Sequence, residues 1–303
     1  MPSKKQESIL SEEEILTLLR SLKASKKNSI SGDDIAAFDT HPRAYAATDS
    51  LIENTHYKRT WLLPKGIAYK LFARNWSDFL CKGILPRYAL LNLNLSRKSA
   101  TLSFLSPFLH ELDHLLVRHK MILIGGDTAY SQTDVFTLTL LGSEGTFIPR
   151  CASSIQVGDC VVQLGAVGAS DWARKCLMRK ITDRMRTLFA RPHLFAKLPS
   201  RHNLKAALHQ SDSVDKTLHI LAAQNRVTLA IDVDAIDVYP RVQKGSHAIL
   251  SAAEDLALFG IATKTSSAFR VIGRVVSSDS HGVVYRHRGK IVTYAGGFEH
   301  FKN

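Results

Sequence analysis

The feature that most restricts this chain is the succession of two hydrophobic periods through its first half. "RAYAATDSL", "RYALLNLNL", "KMILIGGDT" and "DVFTLTLLGSEG" read as strands. Between them, "GIAYKLFARNWSDFLCKG" and "SFLSPFLHELDHLLVRH" read as helices, the former closed by Gly83 and followed by Pro86. The alternation contains no strict βαβ repeat, so it points to a mixed α/β or α+β fold. "KMILIGGDT" is expected to be a buried, central strand that runs into a glycine turn, and "DVFTLTLLGSEG" to turn at Gly142 and Gly145.

The texture changes after "IPRCASSIQVGD". There follow a strand and glycine loop in "CVVQLGAVGAS", a basic helix at 170–190 and a helical segment at 203–223. "VTLAIDVDAI" reads as a strand, "SAAEDLALFGIA" as a short helix, and the remainder as strands joined by glycine turns. A polar start precedes a helix at 11–22, where Ser11 and Glu14 have the spacing of a capping box. "KASKKNS" is a linker. The expected units are therefore 1–28, a helix and linker; 29–149; and 150–303. With 303 residues, 45% of them hydrophobic, the chain can build two cores.

A formal net charge of +13 and a pI near 9.7 favour anionic partners such as nucleotides or phosphorylated metabolites. A solvated basic surface has the same signature. No aromatic-interleaved RNA motif or zinc-finger spacing accompanies the charge, so nucleic acid is not an expected partner. Cys81, Cys151, Cys160 and Cys176 form no C-x-x-C pair, which indicates neither a zinc site nor a redox pair and suits a reducing cytoplasm. No apolar run reaches the roughly 18 residues of a membrane span. The P-loop, G-x-G-x-x-G, kinase and G-x-S-x-G signatures are absent.

What remains is a set of acidic points beside small or hydroxyl residues: Gly32-Asp33-Asp34, Thr48-Asp49-Ser50, Ser77-Asp78, Gly125-Gly126-Asp127-Thr128 and Ser211-Asp212-Ser213. Each aspartate alone could cap a helix or close a turn. Asp78 would lie beside the apolar side set by Tyr69, Phe72, Trp76 and Phe79, where a carboxylate needs hydrogen bonds or a cation. Gly125 and Gly126 permit close backbone approach to a ligand. Carboxylates brought together need cations, and Mg²⁺ shared with substrate phosphates fits oxygen ligands.

In order and spacing these segments resemble the thiamine-monophosphate kinase family, within the aminoimidazole-ribonucleotide-synthetase-like superfamily. The segments are "GDDIA", "ATDSLIENTHY", "AYKLFARNWSDFLCKGILP", "LIGGDT", Arg150 with "CASSIQVGD", "LGAVGAS" and "AGGFEHF". The resemblance runs from Gly32 to Phe298. It implies a two-domain α/β fold whose N-terminal domain is a half-barrel that dimerises, followed by an α+β domain. It also implies a homodimer and a reaction in which ATP, with several Mg²⁺ ions, phosphorylates thiamine monophosphate to thiamine diphosphate. Carried over, Asp34, Thr48, Asp49, Asp78, Asp127 and Asp212 would hold metal. Gly125, Gly126, Asp127, Arg150 and Ser211 would meet ATP. His56, Glu254 and Phe298 would face the thiamine phosphate. Asp33 would shape the turn before Asp34. The acceptor is already a largely deprotonated phosphate oxygen, so no strong general base is required; the work is to hold two polyanions together in line.

Two departures bear on this. The family usually reads Asp-x-Ser-Asp-Gly-Leu where this chain has "HQSDSVD", so His209 and Ser213 replace Asp and Gly. Imidazole is a poor Mg²⁺ ligand, and Asp215 is a candidate to compensate. The family's Gly-Gly-Glu-Asp-Tyr-Glu-Leu becomes "AAEDLAL", with Ala252 and Ala253 expected to be strained wherever φ must be positive. These changes leave two alternatives: the same ATP site with another small-metabolite acceptor, or a non-catalytic nucleotide-binding homologue.

Overall fold

A computed structural model describes residues 36–38, 43–180, 182–192, 195, 197–199, 203–242 and 245–294. The expected helix at 11–22, the linker after it, Asp33, Asp34 and Phe298 lie outside the described residues. Helices and strands are mixed in two sheets, as expected.

The first sheet contains β1 (Ala36–Phe38), β2 (Ala44–Ile52), β3 (Ile84–Leu95), β4 (Ile122–Tyr130) and β5 (Val135–Gly145), in the order β1-β2-β5-β3-β4. Strict alternation on β5 buries Phe136, Leu138 and Leu140 on one face. The intervening Thr137 and Thr139 turn to the other, where their hydroxyls meet Ser50 at 2.7 Å and Thr48 at 2.8 Å. Helices α1 (Pro64–Cys81) and α2 (Leu102–Arg118) cover the apolar face. Pro64 opens α1 where a missing N–H costs nothing, and Phe72, Trp76 and Phe79 carry its packing.

The structure corrects the reading of two of these strands. β4 passes through the glycine pair without turning, and it stands at the outside of the described sheet, parallel to β3. Ile122 and Leu123 are consequently 51% and 49% exposed. Gly126 has φ +153°, and a Cβ there would stand 1.7 Å from the Leu91 carbonyl oxygen. That glycine thus admits the neighbouring strand's backbone. β5 likewise runs through Gly142, whose missing Cβ leaves room for the Leu85 carbonyl, which it would meet at 2.4 Å.

The second sheet holds β6 (Cys160–Leu164), β7 (Leu204–His209), β8 (Thr228–Asp232), β9 (Leu258–Ala262), β10 (Arg270–Ser277), β11 (Gly282–His287) and β12 (Lys290–Val292). Their order is β12-β11-β8-β10-β6-β9-β7. Three sequence expectations change here. The basic segment is two helices, α3 (Ala169–Arg179) and α4 (Asp183–Ala190); Thr182 starts the second by accepting the Met185 N–H. Residues 203–223 divide into β7 and α5 (Val214–Asn225), because Ala206, Ala207 and Leu208 are buried in a strand paired with β9. "SAAEDLALFGIA" is a turn followed by β9, with the helix α6 (Ser246–Leu250) ahead of it. "LFGIA" is buried along its whole length between β6 and β7, a place for a strand.

The α3–α4 pair comes after residue 150 yet packs on the first core: Leu177, Met185 and Phe189 join the cluster of Phe72 and Trp76. A smaller apolar seam, including Cys81, Ile148, Val162, Ala207 and Phe269, lies at the end of α1. There the Lys82 ammonium donates to the Ala207 carbonyl (2.7 Å), and the Ala207 N–H donates to that of Pro149 (3.0 Å). The last turns of α1 are thereby set against the end of β7. No helix among the described residues is long and apolar enough to cross a membrane.

Candidate active site at the meeting of α1 and β7

Lys70, Arg74 and Asp78 recur every four residues on α1, so they share one helix face, with Ser77 beside it. That face meets the middle of β2, the end of β7, the 53–58 turn, the 251–256 turn and the start of α3. Between them is a cavity of about 700 Å³. Among the residues lining it are Thr48, Asp49, His56, Asp78, Ser211, Asp212 and Glu254, all marked by the sequence. Gly125, Gly126, Asp127 and Arg150 do not line it. The first three stand on β4, and the Arg150 carbonyl accepts from Asn225 at the end of α5.

The local causes of this placement are specific. Asn75, fully buried, accepts the Asp49 N–H (3.0 Å) and donates to the Leu71 carbonyl (3.0 Å), which ties β2 to α1. Neighbouring residues on a strand face opposite sides. Asp49 therefore turns towards Arg74 (3.6 Å), while the Thr48 hydroxyl is engaged with Thr139. His56 is held in its turn by accepting the Ile52 N–H at Nδ1 (3.0 Å). The base of that turn is fixed by Asp134, which is wholly buried, accepts the Ser96 N–H (2.6 Å) and pairs with Arg59.

The two turns carrying Ser211 and Glu254 are stitched to each other. Gln210 donates to the carbonyls of Asp212 (2.8 Å) and Ala252 (2.6 Å) and accepts the Asp255 N–H (3.1 Å). Ser213 caps α5 by accepting the Lys216 N–H, which accounts for a serine there. The left-handed positions of the second turn are Glu254 and Leu256, each at φ +59°; Ala252 and Ala253 are not among them, so the expected alanine strain does not arise. Asp255 accepts the Gly168 N–H (2.6 Å) and the Ser170 N–H (2.8 Å) at the start of α3. Burial nevertheless pushes its carboxyl up to about 7.

Electrostatically the site holds two closed groups. Lys70 is buried, its ammonium 2.8 Å from Glu254 Oε2 and 3.6 Å above the centre of the Phe189 ring. Burial lowers the Lys70 pKa, against the pull of Glu254. Burial alone would raise Glu254, but Lys70, Arg74 and His56 outweigh it and hold that carboxyl at about 2. The second group is Asp78 with His209. His209 Nε2 is 3.0 Å from Asp78 Oδ1, and Nδ1 is 2.6 Å from Ser77 Oγ. Burial raises the Asp78 carboxyl and His209 opposes that rise. Asp215 does not compensate for the missing aspartate at 209: its carboxylate accepts from the Tyr285 hydroxyl (2.7 Å) and faces His219 (3.2 Å).

Among the described residues no group of three or more His, Cys, Asp or Glu side chains is set to hold a metal ion. Asp49 and Asp212 each face the cavity with one cation beside them, Arg74 at 3.6 Å and Lys216 at 3.0 Å, and keep about a quarter of the side chain exposed. That pair suits an ion shared with a bound phosphate, and does not suit a cage made of protein alone. Sequence reasoning missed Lys70 and Arg74; their four-residue spacing from Asp78 was the available signal.

A family described as "AIR synthase related protein, N-terminal domain" matches residues 32–143. The thiamine-monophosphate kinase of Leptospira interrogans is 29% identical over 316 residues, spanning 98% of this chain and all of that protein. In sequence the chain is thus similar to thiamine-monophosphate kinases along nearly its whole length. Its architecture matches a solved complex of AaThiL with AMPPCP and TMP, with a TM-score of 0.83 at 22% identity over 96% of this chain and 97% of that one. The hydrogenase maturation protein HypE of E. coli shares the fold more distantly, with a TM-score of 0.63 at 16% identity over 93% and 96% of the two chains.

Proposed function

We propose that this chain transfers the γ-phosphoryl group of ATP to the phosphate of thiamine monophosphate, giving thiamine diphosphate and ADP. The observation that carries the reading is the single cavity. Residues that the family resemblance assigns to metal (Asp49, Asp212), to ATP (Ser211) and to the thiamine phosphate (His56, Glu254) line it from both halves of the chain. The relatives' name and the ligands of the AaThiL complex agree with it.

Two polyanions must be brought together, so positive groups have to stand where they meet. Lys58, Arg74 and Arg174 line the cavity and supply that charge. Asp49 and Asp212 would hold Mg²⁺, which neutralises phosphate charge when bound with the nucleotide. His56 and Glu254 orient the acceptor, with Glu254 fixed by Lys70. Units at 29–149 and 150–303, with nucleotide and metal residues chiefly in the former, belong to the same reading. So does a homodimer joined across β4, whose Ile122, Leu123 and Tyr130 are exposed. Asp34, Gly125, Gly126, Asp127, Arg150 and Phe298 remain assigned by resemblance alone, and a cytoplasmic setting accords with cysteines that form no C-x-x-C pair.

The test is purified chain with thiamine monophosphate, ATP and MgCl₂, assayed for thiamine diphosphate by thiochrome fluorescence and for ADP. Equal amounts of the two products are expected. No thiamine diphosphate, together with no change in melting temperature on adding thiamine monophosphate, overturns the reading. A second reading keeps ATP and changes the acceptor. It is favoured by the engagement of Glu254 with Lys70 and Arg74, and it predicts a thermal shift with Mg-ATP and none with thiamine monophosphate.

A further inference from the structure

Asp78 and His209 come from different halves of the chain, and each side chain is 8% exposed. A carboxyl group so enclosed needs a hydrogen-bonding partner or a cation. Here the partner is part of the protein: the Nε2 edge of the ring is 3.0 Å from Asp78 Oδ1. The other ring nitrogen is 2.6 Å from Ser77 Oγ, so both nitrogens are engaged and neither is left to ligate a metal. Two adjacent residues of α1 thus grip one ring, and that ring is carried by the last residue of β7, whose register on β9 pairs His209 with Leu258. The contact does two things that a divalent ion does between carboxylates: it occupies an oxygen of Asp78 and it bridges the two halves. An aspartate at 209 would instead set two carboxylates against each other, an arrangement that a cation or a shared proton must hold.

We infer that His209 takes the place of a metal ion at Asp78, so that ion binding in this cavity falls to Asp49 and Asp212. The inference bears on the phosphoryl-transfer reading by lowering the number of ions the site uses, and its test does not depend on turnover. Mn²⁺ bound per full-length chain is counted by electron paramagnetic resonance with AMPPCP present. In parallel, melting temperature is followed with Mn²⁺ alone. Wild type and Asp78→Asn are expected to bind equal numbers of ions, because the amide oxygen of that variant still accepts from the ring. His209→Asp is expected to bind one more. Mn²⁺ without nucleotide should raise the melting temperature of His209→Asp by about 5 °C and leave wild type unchanged. Loss of one ion in Asp78→Asn, or a wild type stabilised by Mn²⁺ alone, overturns the inference. An ion count in His209→Asp no higher than wild type does so too. If His209→Asp does not fold, the comparison of Asp78→Asn with wild type decides. Failure of every variant to bind Mn-AMPPCP would overturn the nucleotide reading, and the melting experiment would still decide the role of His209.

Discussion

Glu254→Gln keeps the shape of the side chain and removes the charge facing Lys70 at 2.8 Å and Arg74 at 3.4 Å. The Glu254 carboxyl is held at about 2, against an ordinary 4.5. At about 1.4 kcal/mol per pKa unit this net shift, burial included, favours the charged form by about 3.5 kcal/mol, and partial exposure of the side chain trims this to roughly 2. The substitution also leaves the buried Lys70 ammonium with the Phe189 ring, which adds to the cost, so a loss of about 2–4 kcal/mol at pH 7 is expected. The sign with pH follows from a folded pKa below the ordinary one. The stabilisation is complete above about 4.5, falls to less than half by pH 3 and vanishes below about 2. Urea unfolding of wild type and variant, followed by tryptophan fluorescence at pH 7 and pH 3, measures both the gap and its closing. Lys70→Met together with Glu254→Gln should cost at least about 1 kcal/mol less than the sum of the two single changes. Equal stabilities at pH 7, or a gap unchanged at pH 3, would refute the reasoning.

Further outcomes are expected elsewhere in the molecule. Gly126→Ala should cost about 3 kcal/mol or more, or yield insoluble protein, because the new Cβ meets the Leu91 carbonyl; urea unfolding shows it. Tyr285→Phe should cost about 1–2 kcal/mol in the same assay, since it removes the hydroxyl that donates to Asp215. Asp49→Asn and Asp212→Asn should each lower kcat/KM for ATP by about 100-fold and raise the Mg²⁺ needed for half-maximal rate, read from steady-state kinetics. Asp255 titrates near 7 when folded and near 3.8 otherwise, so the folded state holds its proton more tightly and wild type gains stability as pH falls from about 7 towards 4. Asp255→Asn should lose that gain, which unfolding curves at pH 7.5 and 5.5 will reveal.

The fold was legible where a local period decides the element. Strict alternation from Phe136 to Leu140 and the apolar face of Phe72, Trp76 and Phe79 gave β5 and α1 correctly. It was less legible where the same residues suit two states. "LKAALH" and "LFGIA" are short and apolar, and only their pairing with each other, with "LFGIA" held between two strands, made them strands. The glycines of β4 signalled close approach, but not to what. Of the site, the acidic positions and the two departures were visible as residue types. Lys70 and Arg74 carry no such mark in the sequence, because a polar stripe on a helix usually faces solvent, whereas here it faces the end of another sheet.

By itself, then, the sequence determined the elements that obey a period, the inventory of carboxylates, and the positions at 209 and 252–253 where the pattern departs. These are properties of neighbours along the chain, and local backbone geometry enforces them. The tertiary structure alone decided that β4 is an outer strand of the described sheet, that α3 and α4 return to the first core, and that Asp78 is answered by His209. Ser77 and His209 are 132 residues apart. A contact across such a distance has no period and no local cause; it exists because the seam at Cys81, Ile148 and Ala207 sets the end of α1 against the end of β7.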